Sequence, residues 1–163
     1  MARGACMKEI IGLLDENLVY LQHQLFDEHI LVLVCSNRDK AVCPFCGMVS
    51  SRIHSTYERS FQDLPIQGKK VYISINNRKY FCINSECQKT TFAEQFRCLK
   101  PKAKKSERLI DEILKMSVEV SSVTASKILK DGVVNVGKST ICDYLKKNGK
   151  DVGQGRNRES LHR

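Results

Sequence analysis

Near the start of the chain, Ile10, Ile11, Leu13 and Leu14 recur among polar residues between Met7 and Asp15, the spacing of a short amphipathic helix. The run from His29 to Cys35 is rich in Val, Ile and Leu and predicts a strand that turns at Ser36-Asn37-Arg38-Asp39. Farther on, Ser51 to Phe61 and Lys70 to Phe81 alternate partially. Val71, Ile73 and Ile75 share one strand face if Tyr72 and Ser74 point the other way. Asp63-Leu64-Pro65-Ile66-Gln67-Gly68 separates these two runs, with Pro65 and Gly68 as breakers, and Asn76-Asn77 offers another turn.

After position 105 the period changes from two to about three and a half. Ser106 can cap a helix running to about Ser117, with Leu109, Ile110, Ile113, Leu114 and Met116 as its apolar stripe. A second, shorter helix fits Val123 to Lys130, capped by Ser121 or Ser122, with Ala125, Ile128 and Leu129 facing inward and Asp131-Gly132 ending it. A turn from Val133 to Gly137 then leads to a third helix, Lys138 to Asn148, with Ile141 and Leu145 one turn apart and Gly149 closing it. This pattern fits a helix-turn-helix, and equally a plain three-helix bundle. In the former, the third helix is the reader, with Lys138, Ser139, Thr140, Asp143, Tyr144 and Lys147 toward solvent and the first three placed to reach bases or phosphates.

Four of the eight cysteines stand in two close pairs, Cys43-Pro-Phe-Cys46 and Cys82-Ile-Asn-Ser-Glu-Cys87. Each pair can close a tight knuckle presenting two thiolates to one ion, and four soft sulfur ligands select zinc over hard cations. Pro44 and Gly47 suit such a knuckle, since proline presets one backbone angle and glycine accepts a positive φ. A tetrahedron of sulfurs leaves no position open for water or substrate, so the ion is expected to hold the fold together and not to perform chemistry. A redox pair at Cys43 and Cys46 and an iron-sulfur cluster are the rival readings, and His54 is a substitute ligand. Cys6, Cys35, Cys98 and Cys142 have no partner at ligand spacing and carry no assigned function. Short strands around the two pairs predict a small antiparallel zinc ribbon whose metal compensates for a small core.

Charge adds a partner to this picture. The formal net charge is +9, and it is uneven: residues 1–96 hold eleven Lys or Arg and ten Asp or Glu, a net +1, while residues 97–163 hold sixteen and eight, a net +8. A basic C-terminal third points to a polyanion, with nucleic acid first, because each cation set against a phosphate releases counterions. Lys100-Pro101-Lys102-Ala103-Lys104-Lys105 reads as a basic linker at a domain boundary, with Lys102, Lys104 and Lys105 along phosphates. No apolar run approaches the roughly 18 residues of a membrane span. The first residues lack the apolar core of a secretion signal, so the cysteines suggest metal and free thiols in the cytoplasm, with nucleoid association.

Gly132-Val133-Val134-Asn135-Val136-Gly137-Lys138-Ser139 satisfies the letters of a phosphate loop. Such a loop must follow a buried strand, whereas Val123 to Lys130 reads as helix, so no nucleotide is expected.

An ordered set of short motifs carries a resemblance: Cys43-Pro-Phe-Cys46-Gly47, Arg52, His54-Ser55, Tyr57, Arg59, Asp63-Leu64-Pro65-Ile66, Gly68, Arg78, Phe81-Cys82, Cys87 and Phe92-Ala93-Glu94. Together they resemble the zinc-binding N-terminal region of insertion-sequence transposases of the ISL-three group. Ser106-Glu107-Arg108-Leu109 and the stretch ending Ser139-Thr140-Ile141 are similar to the segment that follows it there. The resemblance covers roughly residues 29–148. It implies zinc on Cys43, Cys46, Cys82 and Cys87 and binding of double-stranded DNA at terminal inverted repeats. It also implies a separate ribonuclease-H-type catalytic domain. After Asn148 the sequence continues only through residues 149–163, read as a disordered polar tail, so the expectation is a chain that binds DNA and is not itself an enzyme.

The expected architecture is α+β: a lead-in helix and strand over 1–40, a zinc ribbon over 41–99, the linker over 100–105 and a helix-turn-helix over 106–148. DNA contacts are expected from Arg52, His54, Arg59, Arg78 and Lys79 of the ribbon beside the third helix. Alternative readings are an accessory or inhibitory partner of a full-length transposase, a homo-oligomer, and a truncated fragment of a transposition enzyme.

Overall fold

Two long strands, β5 (Ile53–Ile66) and β6 (Lys69–Phe81), form the hairpin around which the first part of the chain is built. In this computed structural model residues 5–155 are described, with side chains from Met7 to Lys147. The hairpin turns at Gln67 and Gly68, both at positive φ (49° and 75°), the pair of left-handed residues a tight two-residue turn requires. Leu64 and Pro65 fall in a register shift between Asp63 and Ile66, a bulge where the missing proline N–H breaks no ladder bond. The expected break at 63–68 is therefore a bulge plus a turn. The turn expected at Asn76-Asn77 does not form: both residues lie inside β6, and the buried Asn77 donates through Nδ2 to the Tyr57 hydroxyl at 2.8 Å. Backbone pairing with β5 and an amide partner outweigh the turn preference of asparagine there.

β6 is central. On one side it pairs with β5, and on the other it runs parallel to β2 (His29–Ser36), which in turn pairs antiparallel with β1 (Leu18–Leu25). β7 (Thr91–Ala93) adds to the far end of β6. The strand at 29–36 is thus a member of one five-stranded sheet and not a lead-in to a separate ribbon, and β1 had no expectation in the sequence. β1 shows mostly exposed positions and a register shift between Tyr20 and Gln22, so its apolar residues give no clean alternation. Helix α1 (Ala5–Leu14) buries Ile11 and Leu14 against the sheet core of Val32, Val34, Phe61, Val71, Ile73 and Ile75. Leu13, expected on the same apolar face, is 82% exposed.

Residues 100–105, expected as a linker, are fastened along β5. Gln62 donates its N–H to the Lys104 carbonyl and its own carbonyl accepts from the Ser106 N–H, both at 2.9 Å. The Ser106 hydroxyl, buried, donates to Asp63 Oδ1 at 2.6 Å. Ala103 packs on the sheet core. The chain divides into two compact units between Glu107 and Arg108.

The second unit contains helices α2 (Glu107–Glu119, from its second residue), α3 (Ser122–Lys130) and α4 (Lys138–Gly155). Leu109, Ile113 and Leu114 of α2, Ala125 and Leu129 of α3 and Ile141 of α4 are buried as the helical period requires. Ile128, expected inward, is 47% exposed; it lies next to Leu129, and two adjacent residues point about 100° apart on a helix. The connection between α3 and α4 carries its own apolar contacts: Val134 and Val136 are buried, and Ser126 Oγ donates to the Val136 carbonyl at 2.7 Å. Helix α4, expected to end at Asn148, runs to Gly155; of the tail expected over 149–163, residues 156–163 lie outside the described residues. Ser121 is the N-cap of α3, its Oγ accepting from the Thr124 N–H at 3.2 Å. Ser121→Ala should cost this unit about 1 kcal/mol, measured as a lower midpoint in the thermal melt of the helical circular-dichroism signal.

Candidate metal centre

The first cysteine pair rides on a small hairpin, β3 (Ala41–Val42) and β4 (Val49–Ser50), inserted between β2 and β5. Its tip folds back on itself: the Cys43 N–H donates to the Met48 carbonyl at 2.8 Å, and the Gly47 N–H to the Cys43 carbonyl at 2.9 Å. Gly47 takes φ 77°, the left-handed turn anticipated after Cys46. The second pair lies between β6 and β7, where the Cys82 N–H donates to the Thr90 carbonyl at 2.8 Å and the Cys87 N–H to the Asn84 carbonyl at 3.1 Å. Pairing of β6 with β5 and β7 brings this loop beside the hairpin tip.

The four sulfurs of Cys43, Cys46, Cys82 and Cys87 lie within 4.8 Å of one another. Cys43 Sγ is 3.9 Å from Cys87 Sγ, and Cys46 Sγ is 3.5 Å from Cys82 Sγ. A zinc ion with bonds of about 2.3 Å to four sulfurs sets them about 3.8 Å apart, so the residues fit the ion. His54 is not in the cluster; its Nδ1 sits 2.8 Å from Ser55 Oγ and its ring meets Phe81 edge-on at 4.7 Å. Cys43 and Cys46 sit on a β-hairpin, not at a strand-to-helix junction, which removes the thioredoxin-like context a redox pair needs.

Backbone amides complete the site. The Met48 amide is the leading influence on the Cys46 thiol and, with its sulfur neighbours, brings it down to about 7. At Cys82 the Asn84 amide also favours the thiolate, but burial and hydrogen bonds with the other three sulfurs win and push it up to about 12. The Lys89 amide acts likewise on Cys87, where burial and Cys46 again prevail and raise the thiol. Four ionised sulfurs this close repel one another. A bound zinc ion supplies the positive charge that holds all four as thiolates, and the three amides, each two residues past its cysteine, orient and stabilise them. These amide donors were not singled out in the sequence, although the knuckle spacing implies them.

Beneath the sulfurs, Ala41, Cys43, Tyr80 and Phe92 form a small core of their own, with the Tyr80 and Phe92 rings stacked at 5.9 Å between centroids. Residues 39–87 match the family described as the zinc-finger of transposase IS204/IS1001/IS1096/IS1165. Over these residues the chain is a zinc ribbon similar to that of those transposases. No curated protein matches the chain. Nor does any solved structure. In this ribbon the strands after the first knuckle extend into the five-stranded sheet, so it shares its long hairpin with a larger hydrophobic core.

The basic residues expected to meet DNA fall into three groups. Arg52 and His54 are exposed at the start of β5, both against Phe81, with the Arg52 guanidinium 4.9 Å from the ring centre. Arg59 and Arg78 spend donors inside the fold: Arg59 Nη2 donates to the carbonyls of Lys100 (2.6 Å) and Ala103 (3.2 Å), and Arg78 Nη1 to the Arg38 carbonyl. Lys79, Lys102 and Lys104 keep at least part of their surface in solvent, while Lys105 is half-buried and desolvation pulls its ammonium below the usual lysine range. In the second unit Lys138, Ser139 and Lys147 are exposed and Thr140 and Tyr144 half-buried along α4. The phosphate-loop letters at 132–139 follow α3, not a strand. Among the described residues, no helix is long and apolar enough to cross a membrane.

Proposed function

We propose that this chain is a DNA-binding protein of transposase type, in which the zinc ribbon and the three-helix unit engage double-stranded DNA at the ends of a mobile element. The observation that carries the reading is the agreement between the ribbon match over residues 39–87 and a four-sulfur cluster of zinc dimensions. Residues 108–163 hold eleven Lys or Arg against seven Asp or Glu, and this excess together with the solvent-facing Lys138, Ser139 and Lys147 at and after the start of α4 supports a phosphate-contacting role for the second unit. In this reading α3 and α4 act as a helix-turn-helix with α4 as the reader, and the chain works at the nucleoid. The ion's four sulfurs leave it no open coordination position, so the ribbon's role is to bind and orient, not to cut; cutting and joining of DNA belong to a separate catalytic fold.

A gel-shift titration with element-end duplex and a scrambled duplex of equal length tests this. End DNA should bind more tightly, with affinity falling steeply as salt rises. Lys138→Ala and Lys147→Ala should each weaken binding to both duplexes and lower the salt slope by about 1. Equal, feeble binding to both duplexes, unaffected by either substitution, would overturn the proposal.

A further inference from the structure

A cavity of about 430 Å³ opens beside the zinc knuckle, bordered by Pro44 and Phe45 of the first cysteine pair, by Tyr57, Lys79 and Phe92 of the sheet, and by Lys102. Its walls are mainly apolar, yet three cations, Arg59, Lys79 and Lys102, border it too. Phe45 is 59% exposed and Tyr57 38%, so two aromatic rings face solvent where a core would hide them. Lys79 and Lys102 have no ion-pair partner among the described residues. A second cavity, about 370 Å³, shares Tyr57, Arg59 and Lys102 with the first and adds Lys104.

The backbone marks the same place. The Ala103 N–H donates to the Lys100 carbonyl at 3.1 Å, closing a four-residue turn with Pro101 second and Lys102 third. Proline fixes a negative φ and Lys102 takes φ 61°, which is the type II turn whose third position favours glycine. A lysine held at that position carries backbone strain at the rim of a cavity, the kind of outlier that points to a functional constraint.

Resting on the reading of this chain as a DNA-binding protein, we propose that the paired cavities hold unpaired DNA nucleotides next to the duplex. Aromatic rings take bases by stacking without regard to sequence, and lysines at the rim meet the intervening phosphates. A paired base has both faces covered by its neighbours in the duplex, so only a strand end or an extruded nucleotide presents a free face to Phe45 or Tyr57. Two adjoining cavities sharing Arg59 and Lys102 suit successive nucleotides of one strand. Glu94 also borders the larger cavity, but its carboxylate is fully buried, with Oε1 held by Ser36 and Arg38.

Fluorescence anisotropy on the full zinc-loaded chain tests this with a blunt duplex and the same duplex carrying a three-nucleotide overhang that contains 2-aminopurine. The overhang duplex should bind about tenfold more tightly and its 2-aminopurine should be quenched on binding. Phe45→Ala, with zinc content verified, should abolish the gain and the quenching while blunt-duplex affinity stays. Lys102→Gly should reduce the gain severalfold without lowering the thermal midpoint, because glycine suits the turn. Equal affinity for the two duplexes, or a gain that survives Phe45→Ala, overturns the pocket assignment and leaves duplex binding standing. Failure to bind either duplex overturns both.

Discussion

Cys82→Ser, or chelation of the metal, should release zinc and melt the β3–β4 hairpin, the Cys82–Cys87 loop and β7, while the sheet core around Ile73 stays folded. Structural sites in isolated zinc-finger peptides bind zinc with an apparent free energy of about 10–16 kcal/mol, of the order of a whole domain's stability, so the region depending on the ion should lose its order without it. That region is defined by its packing. Ala41, Cys43, Tyr80 and Phe92 form a cluster distinct from the one that contains Val32, Phe61, Val71, Ile73 and Ile75, and the three remaining sulfur ligands pack against the former. Hydrogen exchange before and after chelation would therefore show protection lost at residues 41–50 and 82–93 and kept in β2 and the first half of β6. Uniform loss across the first unit would show that the two clusters fold as one. Because Phe45 belongs to the knuckle, metal removal should also erase any preference for DNA with an overhang.

Ile73→Ala should destabilise the first unit by about 2–5 kcal/mol, the range for emptying a fully buried isoleucine position. Ile73 is 1% exposed and sits in the middle of the sheet, in register with Val32 of β2 on one side and Phe61 of β5 on the other, both buried. Neighbours held on both sides by ladder hydrogen bonds cannot collapse into the gap, which places the expected loss in the upper half of that range. Chemical denaturation monitored by circular dichroism, with zinc present throughout, gives the number. Zinc affinity should be nearly unchanged in this variant, since Ile73 lies in the core that does not touch the sulfurs; a large drop in affinity would mean that the two cores are coupled through β6.

The metal ligands were legible from the chain because zinc imposes spacing: two short loops with two thiols each can close on one ion whatever surrounds them. The same holds for the α2 and α3 positions that face inward, Leu109, Ile113, Ala125 and Leu129, and for Val71, Ile73 and Ile75, where period alone selects the buried face. Residues at the edges of those stripes were not legible. Leu13 and Ile128 satisfy the pattern and are exposed, because a stripe has a width that only the packing partner determines. Asn76 and Asn77 look like a turn locally and lie in the longest-paired part of the sheet, because ladder partners distant in sequence outweigh a local preference.

What the sequence determined by itself was local: which cysteines converge, where helices give way to strands, and where positive charge accumulates. The tertiary structure decided everything that depends on parallel pairing of β2 with β6, a contact between segments some forty residues apart that no short-range pattern records. That pairing makes the ribbon an arm of a five-stranded sheet, and other contacts of similar range lay residues 100–105 along β5 and set Phe45, Tyr57, Lys79 and Lys102 around one cavity. The physical reason is that sulfur–metal spacing and helical period act within a few residues, whereas sheet order is settled by which apolar faces can be buried together at once.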